Sequence, residues 1–200
     1  MSPRNESISQ IAVSPEECVI LFGIPTDYAG FRRDLSSSNK DLIPNSGLVW
    51  PQYRSEVVAP VERLIAAAEK LNVRVQRDVE LQDITNACDG RHLVVILVSH
   101  WTDDCVELAD GLHPFKDVVV SVPDDFEGFV DLIICVPDSL GIALRDLKPN
   151  CIIRFARGTY IIPSLWFGIL QAVITNLGEA PRPYMDAFND LIARFSQPED

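Results

Sequence analysis

A chain of 200 residues is long enough to form one domain with a full hydrophobic core. Its apolar content of 47% and charged content of 23% are typical of a soluble globular protein and argue against large-scale disorder. The formal net charge of -12 argues against nucleic acid as a direct partner, because phosphate binding requires a basic surface.

The apolar runs are too short or too interrupted to span a bilayer, and residues 1–10 lack the apolar core of a secretory signal. We therefore expect a cytoplasmic protein without membrane contact. The five cysteines are scattered and form no C-x-x-C pair, which indicates neither a disulfide framework nor a zinc site. Since there are also only three histidines, the sequence predicts no bound metal and no cofactor.

The first predicted strand, CVILFGI, covers residues 18–24 and follows a polar segment, residues 1–17, that we expect to be flexible. Residues 28–55 show neither a helical nor a strand pattern, which predicts a long irregular stretch. Such a stretch is either a functional loop, with Trp50 as a candidate contact, or a disordered insertion. From Glu56 the apolar residues recur with helical spacing as far as Leu71. A strand is predicted over residues 73–79 and a short helix over residues 81–88.

Two later runs, HLVVILVS (92–99) and FVDLIICV (129–136), are apolar almost throughout, which is typical of strands covered on both faces. Between them, VELADGL (106–112) contains an Asp-Gly turn and predicts either a segment at a sheet edge or a hairpin. Ser139 is a candidate cap for a helix that ends at Leu147. A strand over residues 151–156 and two amphipathic helices, beginning at Pro163 and Pro183, complete the predicted elements.

Apolar strands separated by helices predict an α/β fold, with a mostly parallel central sheet and helices on both faces. We expect a single domain over residues 18–197, since no linker or repeat interrupts the pattern. In sheets of this kind, functional sites lie beyond the carboxyl ends of the strands.

Two of the buried strands end in reactive residue types, His100 and Cys135. The interval between them leaves room for one crossover, so both could lie at one edge of the sheet. An imidazole close to the thiol would hold it as a thiolate and later protonate a leaving amine. The backbone N–H groups of Trp101 and Cys135 are placed to bind an oxyanion. The alternative is that Cys135 only fills the core.

The order of VVILVSHW, VELADGL and VDLIICVPDSL resembles the core of CHAT domains, a caspase-clan family of separase-like cysteine proteases. The similarity extends from about Val19 to Phe195. It implies a caspase-like sandwich and a cysteine endopeptidase that cleaves a protein partner. It also implies a regulatory protein partner and a role in bacterial antiviral defence or regulated cell death.

The resemblance implies that His100 is the general base and acid and that Cys135 is the nucleophile. Asp131 matches an acidic position before the cysteine, and Ser139 matches a serine behind it. Both are candidates for a supporting role on the substrate side. Asp131 could instead anchor its strand, and Ser139 could instead cap a helix.

Two positions depart from the family pattern. Trp101 replaces the glycine that usually follows the histidine, and Ile133 replaces the S1 aspartate of related proteases specific for basic residues. A preference for cleavage after Lys or Arg is therefore not predicted. A catalytically inactive interaction module or scaffold of the same fold is the second hypothesis. A third, a nucleotide-binding protein, is disfavoured because no strand is followed by a glycine-rich phosphate loop.

Overall fold

The computed structural model describes residues 8–36, 50–135, 137–156 and 163–195. Its centre is a sheet of five parallel strands. These strands, numbered in chain order, are β2 (Cys18–Phe22), β3 (Arg74–Gln76), β4 (Val94–Ser99), β8 (Phe129–Ile134) and β9 (Ile152–Phe155). They lie in the order β3-β2-β4-β8-β9, so β4 and β8 are central neighbours.

Helices cover both faces of the sheet. The first face carries α2 (residues 50–70), α6 (Pro163–Glu179) and α7 (Tyr184–Phe195). The second face carries α3 (Leu81–Ala87), α4 (Phe115–Ser121) and α5 (Asp138–Leu147). Alternate strand residues enter the two cores, so that Ile96 and Ile133 pack in the first and Leu97 and Leu132 in the second. The predicted α/β fold with a parallel sheet between two helical layers is confirmed.

The stretch over residues 28–55 was expected to be irregular, and this prediction is wrong where the structure describes it. Helix α1 (Tyr28–Ser36) occupies its beginning, and α2 already starts at Trp50. The Trp50 ring packs on Phe31, with ring centroids 5.3 Å apart. This contact gives Trp50 a packing role. Residues 37–49 lie outside the described residues.

Helix α2 begins upstream of Glu56 and continues past Pro60. Its three segments are α-helical Trp50–Tyr53, π-helical Arg54–Val58 and α-helical Ala59–Lys70. Pro60 has no N–H to donate and would disturb a regular helix interior. The wide π turn ends just before it, where the Ala59 N–H donates to the Arg54 carbonyl. Pro60 therefore lies in the first turn of the α-helical segment Ala59–Lys70, although helix α2 as a whole begins further upstream.

A three-stranded antiparallel ribbon follows β4. It consists of β5 (Trp101–Thr102), β6 (Cys105–Leu108) and β7 (Gly111–Pro114). The predicted hairpin over residues 106–112 is confirmed by β6 and β7. Strand β5 was not predicted. Its two-residue connection to β6, Asp103-Asp104, has φ values of 49° and 61°, as a type I′ turn requires.

Part of the N-terminal segment lies against the domain. Strand β1 (Ala12–Val13) pairs antiparallel with β10 (Arg182–Pro183). Ile8 and Val13 are both buried in the first core. Residues 12–13 are thus fixed by backbone pairing to a segment distant in sequence, although the sequence suggested a flexible tail. Within the described residues, no helix combines the length and the hydrophobicity needed to cross a membrane.

Candidate active site

The ends of the two central strands meet at the carboxyl edge of the sheet. In the parallel pair of β4 and β8, Val94 lies beside Phe129 and Ser99 lies beside Ile134. His100 and Cys135 directly follow this last pair, so both leave the sheet at the same edge and from neighbouring strands. The prediction that the two strands are neighbours is confirmed.

His100 and Cys135 also share one face of the sheet by strand alternation. Val98 and Ile133 belong to the core on the first face. Positions two residues further along a strand return to the same face, and these positions are His100 and Cys135. Register and alternation therefore bring the imidazole-bearing and thiol-bearing residues to the same corner of the fold.

His100 is a partly buried residue whose ring nitrogen Nε2 is shielded from water. Its Nε2 atom is buried and makes no hydrogen bond with any residue that the structure describes. Burial lowers the pKa of His100 from 6.5 to about 4, because desolvation penalises the charged ring. At neutral pH the ring is therefore uncharged and can accept a proton, as a general base must.

Cys135 differs from three of the other four cysteines in its exposure. Cys135 and Cys105 are partly exposed, whereas Cys18, Cys88 and Cys151 are buried. Burial raises the pKa of Cys88 to about 12 and that of Cys151 to about 11. Because a thiol reacts as its thiolate, these two core cysteines are poor nucleophiles near neutral pH.

Cys105 and Cys18 are suppressed for related reasons. Desolvation raises the pKa of the Cys105 thiol, with nearby carboxylates adding to the effect, first among them Asp103 and Asp104. Burial raises the pKa of Cys18 well beyond its ordinary range, and Glu17 adds to this shift. Cys105 is thus an accessible thiol of low reactivity, which makes it a useful internal reference for Cys135.

Trp101 does not occupy the space beside the imidazole. It pairs with Val106 in the ribbon, and its side chain packs in the second core, near Phe115 at a centroid distance of 6.3 Å. His100, one residue earlier, lies on the opposite face. Trp101 is also not among the described residues with positive φ, so its backbone does not need glycine. Its N–H and that of Cys135 remain the proposed oxyanion donors.

Asp131 lies inside the protein and is held there by an ion pair and by hydrogen bonds to its Oδ2 atom. It is 0% exposed, and its Oδ1 lies 2.5 Å from a guanidinium nitrogen of Arg154, the residue directly beside it on β9. The Tyr184 hydroxyl donates to Asp131 Oδ2 at 2.6 Å. Arg154 is in turn stacked over Phe188, 3.9 Å from the ring centroid. Asp131 is therefore an anchor between β8, β9 and α7, and it does not face substrate.

Ser139 does not cap its helix, contrary to the prediction. Helix α5 begins at Asp138, and Pro137 occupies the N-cap position without a side-chain hydrogen bond. Ser139 lies in the first turn, and its exposed hydroxyl donates to Asp104 Oδ1 at 3.2 Å. This bond ties the helix that follows Cys135 to the ribbon that follows His100.

Three participants in this region were not identified from the sequence. Arg154 lies in the predicted strand over residues 151–156 and Tyr184 in the last predicted helix, and the sequence assigned neither of them a role at the site. Glu107 lies in β6 and is 4% exposed. The feature of the sequence that could have identified Glu107 is a charged residue between two apolar positions, Val106 and Leu108.

The described residues offer few alternatives elsewhere. A cleft of about 560 Å³ contains His92 and Cys88, but its lining residues Leu93 and Glu127 precede β4 and β8. It therefore lies at the amino edge of the sheet, opposite His100 and Cys135. His92 Nδ1 is 3.3 Å from the Ala87 carbonyl oxygen, which suits a core histidine. The structure describes no group of three or more His, Cys, Asp or Glu side chains that could hold a metal ion.

A scan of the sequence against protein-family models gives no match, and a search of curated protein sequences finds no significant relative. The resemblance to CHAT domains therefore rests only on the motifs quoted from this sequence. The proposed function rests on the geometry of the site.

Proposed function

We propose that this protein is a cysteine endopeptidase with a caspase-like fold, in which His100 and Cys135 form the catalytic dyad. The single observation that carries the proposal is the register of β4 and β8, whose last pair, Ser99 with Ile134, directly precedes His100 and Cys135 at the carboxyl edge. Parallel α/β sheets usually bind their substrates at this edge. The neutral His100 ring has a free site for the thiol proton, but burial lowers its pKa to about 4, so the imidazolium formed in the reaction needs a stabilising group.

The proposed reaction follows from these positions. A ring nitrogen of His100 takes the proton from Cys135 Sγ, and the thiolate attacks the carbonyl carbon of the scissile peptide bond. The backbone N–H groups of Trp101 and Cys135 stabilise the resulting oxyanion. His100 then gives its proton to the leaving amine as the C–N bond breaks. Water, activated by the same imidazole, hydrolyses the thioester and restores the thiol.

The substrate class is a protein partner, and the resemblance to CHAT domains suggests a regulatory protein partner and a setting in cytoplasmic antiviral defence. Ile133 is 2% exposed and packs in the first core, so it does not supply an acidic S1 group. Asp131 is neutralised by Arg154. Neither residue therefore favours cleavage after Lys or Arg.

The test of the dyad is alkylation by a limiting amount of iodoacetamide at pH 6, with each cysteine quantified by mass spectrometry. An ordinary thiol, with a pKa of about 8.5, is almost entirely protonated at this pH and reacts slowly. We expect Cys135 to react at least about tenfold faster than Cys105, and the difference to disappear in His100→Ala.

His113→Ala is the matched control, because His113 lies on the same ribbon and is exchanged for the same small residue. We expect it to label like the wild type. Equal labelling of Cys135 and Cys105 in the folded wild-type protein would refute the dyad.

The competing proposal is a catalytically inactive interaction module of the same fold. One observation favours it: His100 Nε2 is buried and makes no hydrogen bond with the described residues. Catalytic hydrogen bonds are often long before substrate binds, however, and a dyad tolerates this arrangement. The module predicts that Cys135→Ala leaves partner binding and biological activity intact, whereas the peptidase predicts that activity is lost.

A further inference from the structure

Glu107 is an unusual residue for its position. It lies in β6 between Val106 and Leu108, which both pack in the second core, and it is only 4% exposed. Glutamate is rarely buried to this extent, because removing a carboxylate from water is costly unless other groups stabilise it. A strand needing only stability would carry an apolar residue at such a position.

The ribbon places Glu107 directly opposite His100. Trp101 pairs with Val106 in the antiparallel register, and the next pair along the two chains is His100 with Glu107. The Glu107 N–H donates to the His100 carbonyl oxygen at 3.1 Å, which confirms this register. Side chains of directly opposed residues project from the same face, with Cβ atoms roughly 5 Å apart. His100 thus has Cys135 on one side and Glu107 on the other.

The backbone at Glu107 is also held firmly in place. Its carbonyl oxygen accepts a hydrogen bond from the Ser99 hydroxyl. The same oxygen would lie only 2.7 Å from a Cβ atom at Gly23, so the ribbon approaches the end of β2 as closely as a glycine allows. These contacts fix the point from which the Glu107 side chain extends.

A carboxyl group at this position would meet a need of the dyad. The imidazole is buried and uncharged, yet it must carry a positive charge after taking the proton from Cys135 Sγ. In that step the S–H bond breaks and an N–H bond forms, with no proton exchanged with solvent. A negative group across the strand pair stabilises the resulting imidazolium and orients the ring, because electrostatic interactions are strong in a site shielded from water.

We infer that Glu107 is the positioning residue of a Glu107–His100–Cys135 triad. This inference rests on the proposed function and adds a third residue to it. The other acidic groups of the ribbon turn, Asp103 and Asp104, are exposed, and Asp104 accepts a hydrogen bond from Ser139. Glu107, by contrast, is buried. In the register of the ribbon it lies directly opposite His100.

The experiment is a pH profile of Cys135 alkylation, from pH 5 to 9, in Glu107→Gln. Glutamine keeps the shape of the side chain and removes its charge. We expect the profile to shift to higher pH and the rate at pH 6 to fall by about tenfold or more, since one unit of thiol pKa changes the thiolate fraction tenfold. Asp103→Asn removes one charge from the same ribbon, and we expect it to stay within about twofold of the wild type, because exposed charges are screened by water.

The possible outcomes separate the inference from the proposed function. Preferential labelling of Cys135 in the wild type, together with an unshifted Glu107→Gln profile, overturns the role of Glu107 and leaves the dyad standing. Absence of preferential labelling in the wild type overturns both.

A measurement on the wild type covers the case in which Glu107→Gln does not fold. With ¹⁵N-labelled histidine, the His100 ring shifts should report one dominant tautomer from pH 6 to 8, as a ring oriented by a fixed acceptor requires. A nearly equal mixture of the two tautomers would overturn the positioning role.

Discussion

At the scale of single residues, burial sets the protonation state of His100. The pKa of the ring falls from 6.5 to about 4, and desolvation is the cause. The sequence identified His100 and Cys135 as candidates because both directly follow apolar runs. The exposure of their individual atoms could not be predicted, because it depends on the ribbon and helices that pack over the strand ends.

The shift of His100 should make stability depend on pH. Below pH 6.5 the unfolded chain binds a proton at His100 that the folded chain does not bind until about pH 4. Stability therefore falls as the pH decreases from 6.5 towards 4, and is regained as the pH rises, by up to about 3 kcal/mol from this group. Urea unfolding of the wild type and of His100→Gln at several pH values should show a smaller pH dependence in the variant.

His113→Gln provides the comparison, because His113 lies on the ribbon and keeps 18% of its side chain exposed. We expect the contribution of His100 to the pH dependence to persist in this variant. Parallel curves for the wild type and His100→Gln would contradict the buried, uncharged state assigned to His100.

At the scale of elements, the ribbon positions the site because glycine permits close approach at the end of β2. A Cβ atom at Gly23 would lie 2.7 Å from the Glu107 carbonyl oxygen and 2.9 Å from Leu108 Cδ2. The first of these is a backbone atom and can move only with the whole strand. The sequence alone did not assign this function to Gly23, because the contact joins segments more than eighty positions apart.

Gly23→Ala should therefore destabilise the fold and displace the ribbon. We expect a loss of about 1–3 kcal/mol, the usual effect of inserting a methyl group into a packed region. We also expect slower alkylation of Cys135, since the His100 carbonyl oxygen accepts a hydrogen bond from the Glu107 N–H in β6. Urea unfolding and the iodoacetamide assay measure the two effects.

Gly168→Ala tests the specificity of this result. Gly168 lies within α6, and a Cβ atom there would meet nothing within 4 Å. Alanine should stabilise the helix by up to about 1 kcal/mol, because it restricts the unfolded chain more than glycine does. Equal losses in the two variants would argue against a specific close contact at Gly23.

At the scale of the whole molecule, one buried ion pair joins distant parts of the chain. Asp131 in β8 contacts Arg154 in β9 and Tyr184 at the start of α7. The pKa of Arg154 is affected most by desolvation, which lowers it, but the neighbouring Asp131 reverses the effect and the net shift is upward. Removing one partner leaves a buried charge that the fold cannot solvate.

Asp131→Asn should accordingly lower the free energy of unfolding by about 3–5 kcal/mol, because it leaves the buried charge of Arg154 without its ion-pair partner. Asp190→Asn is the control, since the Asp190–Arg182 pair spans 3.2 Å with 55% and 33% of the side chains exposed. It should cost less than about 1 kcal/mol. Thermal and urea unfolding would distinguish the two, and a small loss in Asp131→Asn would show that the pair contributes little.

The class of fold and the residues at the strand ends could be predicted from the amino-acid sequence. Apolar runs such as VVILVS and FVDLII can be covered on both faces only in a parallel sheet between helices, and this hydrophobic constraint is local. The same runs marked His100 and Cys135 as residues at the carboxyl edge. A cap at Ser139 and an irregular backbone over residues 28–36 and 50–55 were wrong, because local signals there compete with tertiary contacts.

Which groups lie close together at the carboxyl edge depends on the tertiary structure and could not be predicted from the sequence. The neighbours of His100, the anchoring of Asp131 by Arg154 and the burial of Glu107 all depend on pairing between segments distant in the chain. A sequence pattern reports how each residue relates to its own helix or strand. Hydrogen-bond register and close packing between elements fix the rest, and these are properties of the assembled fold.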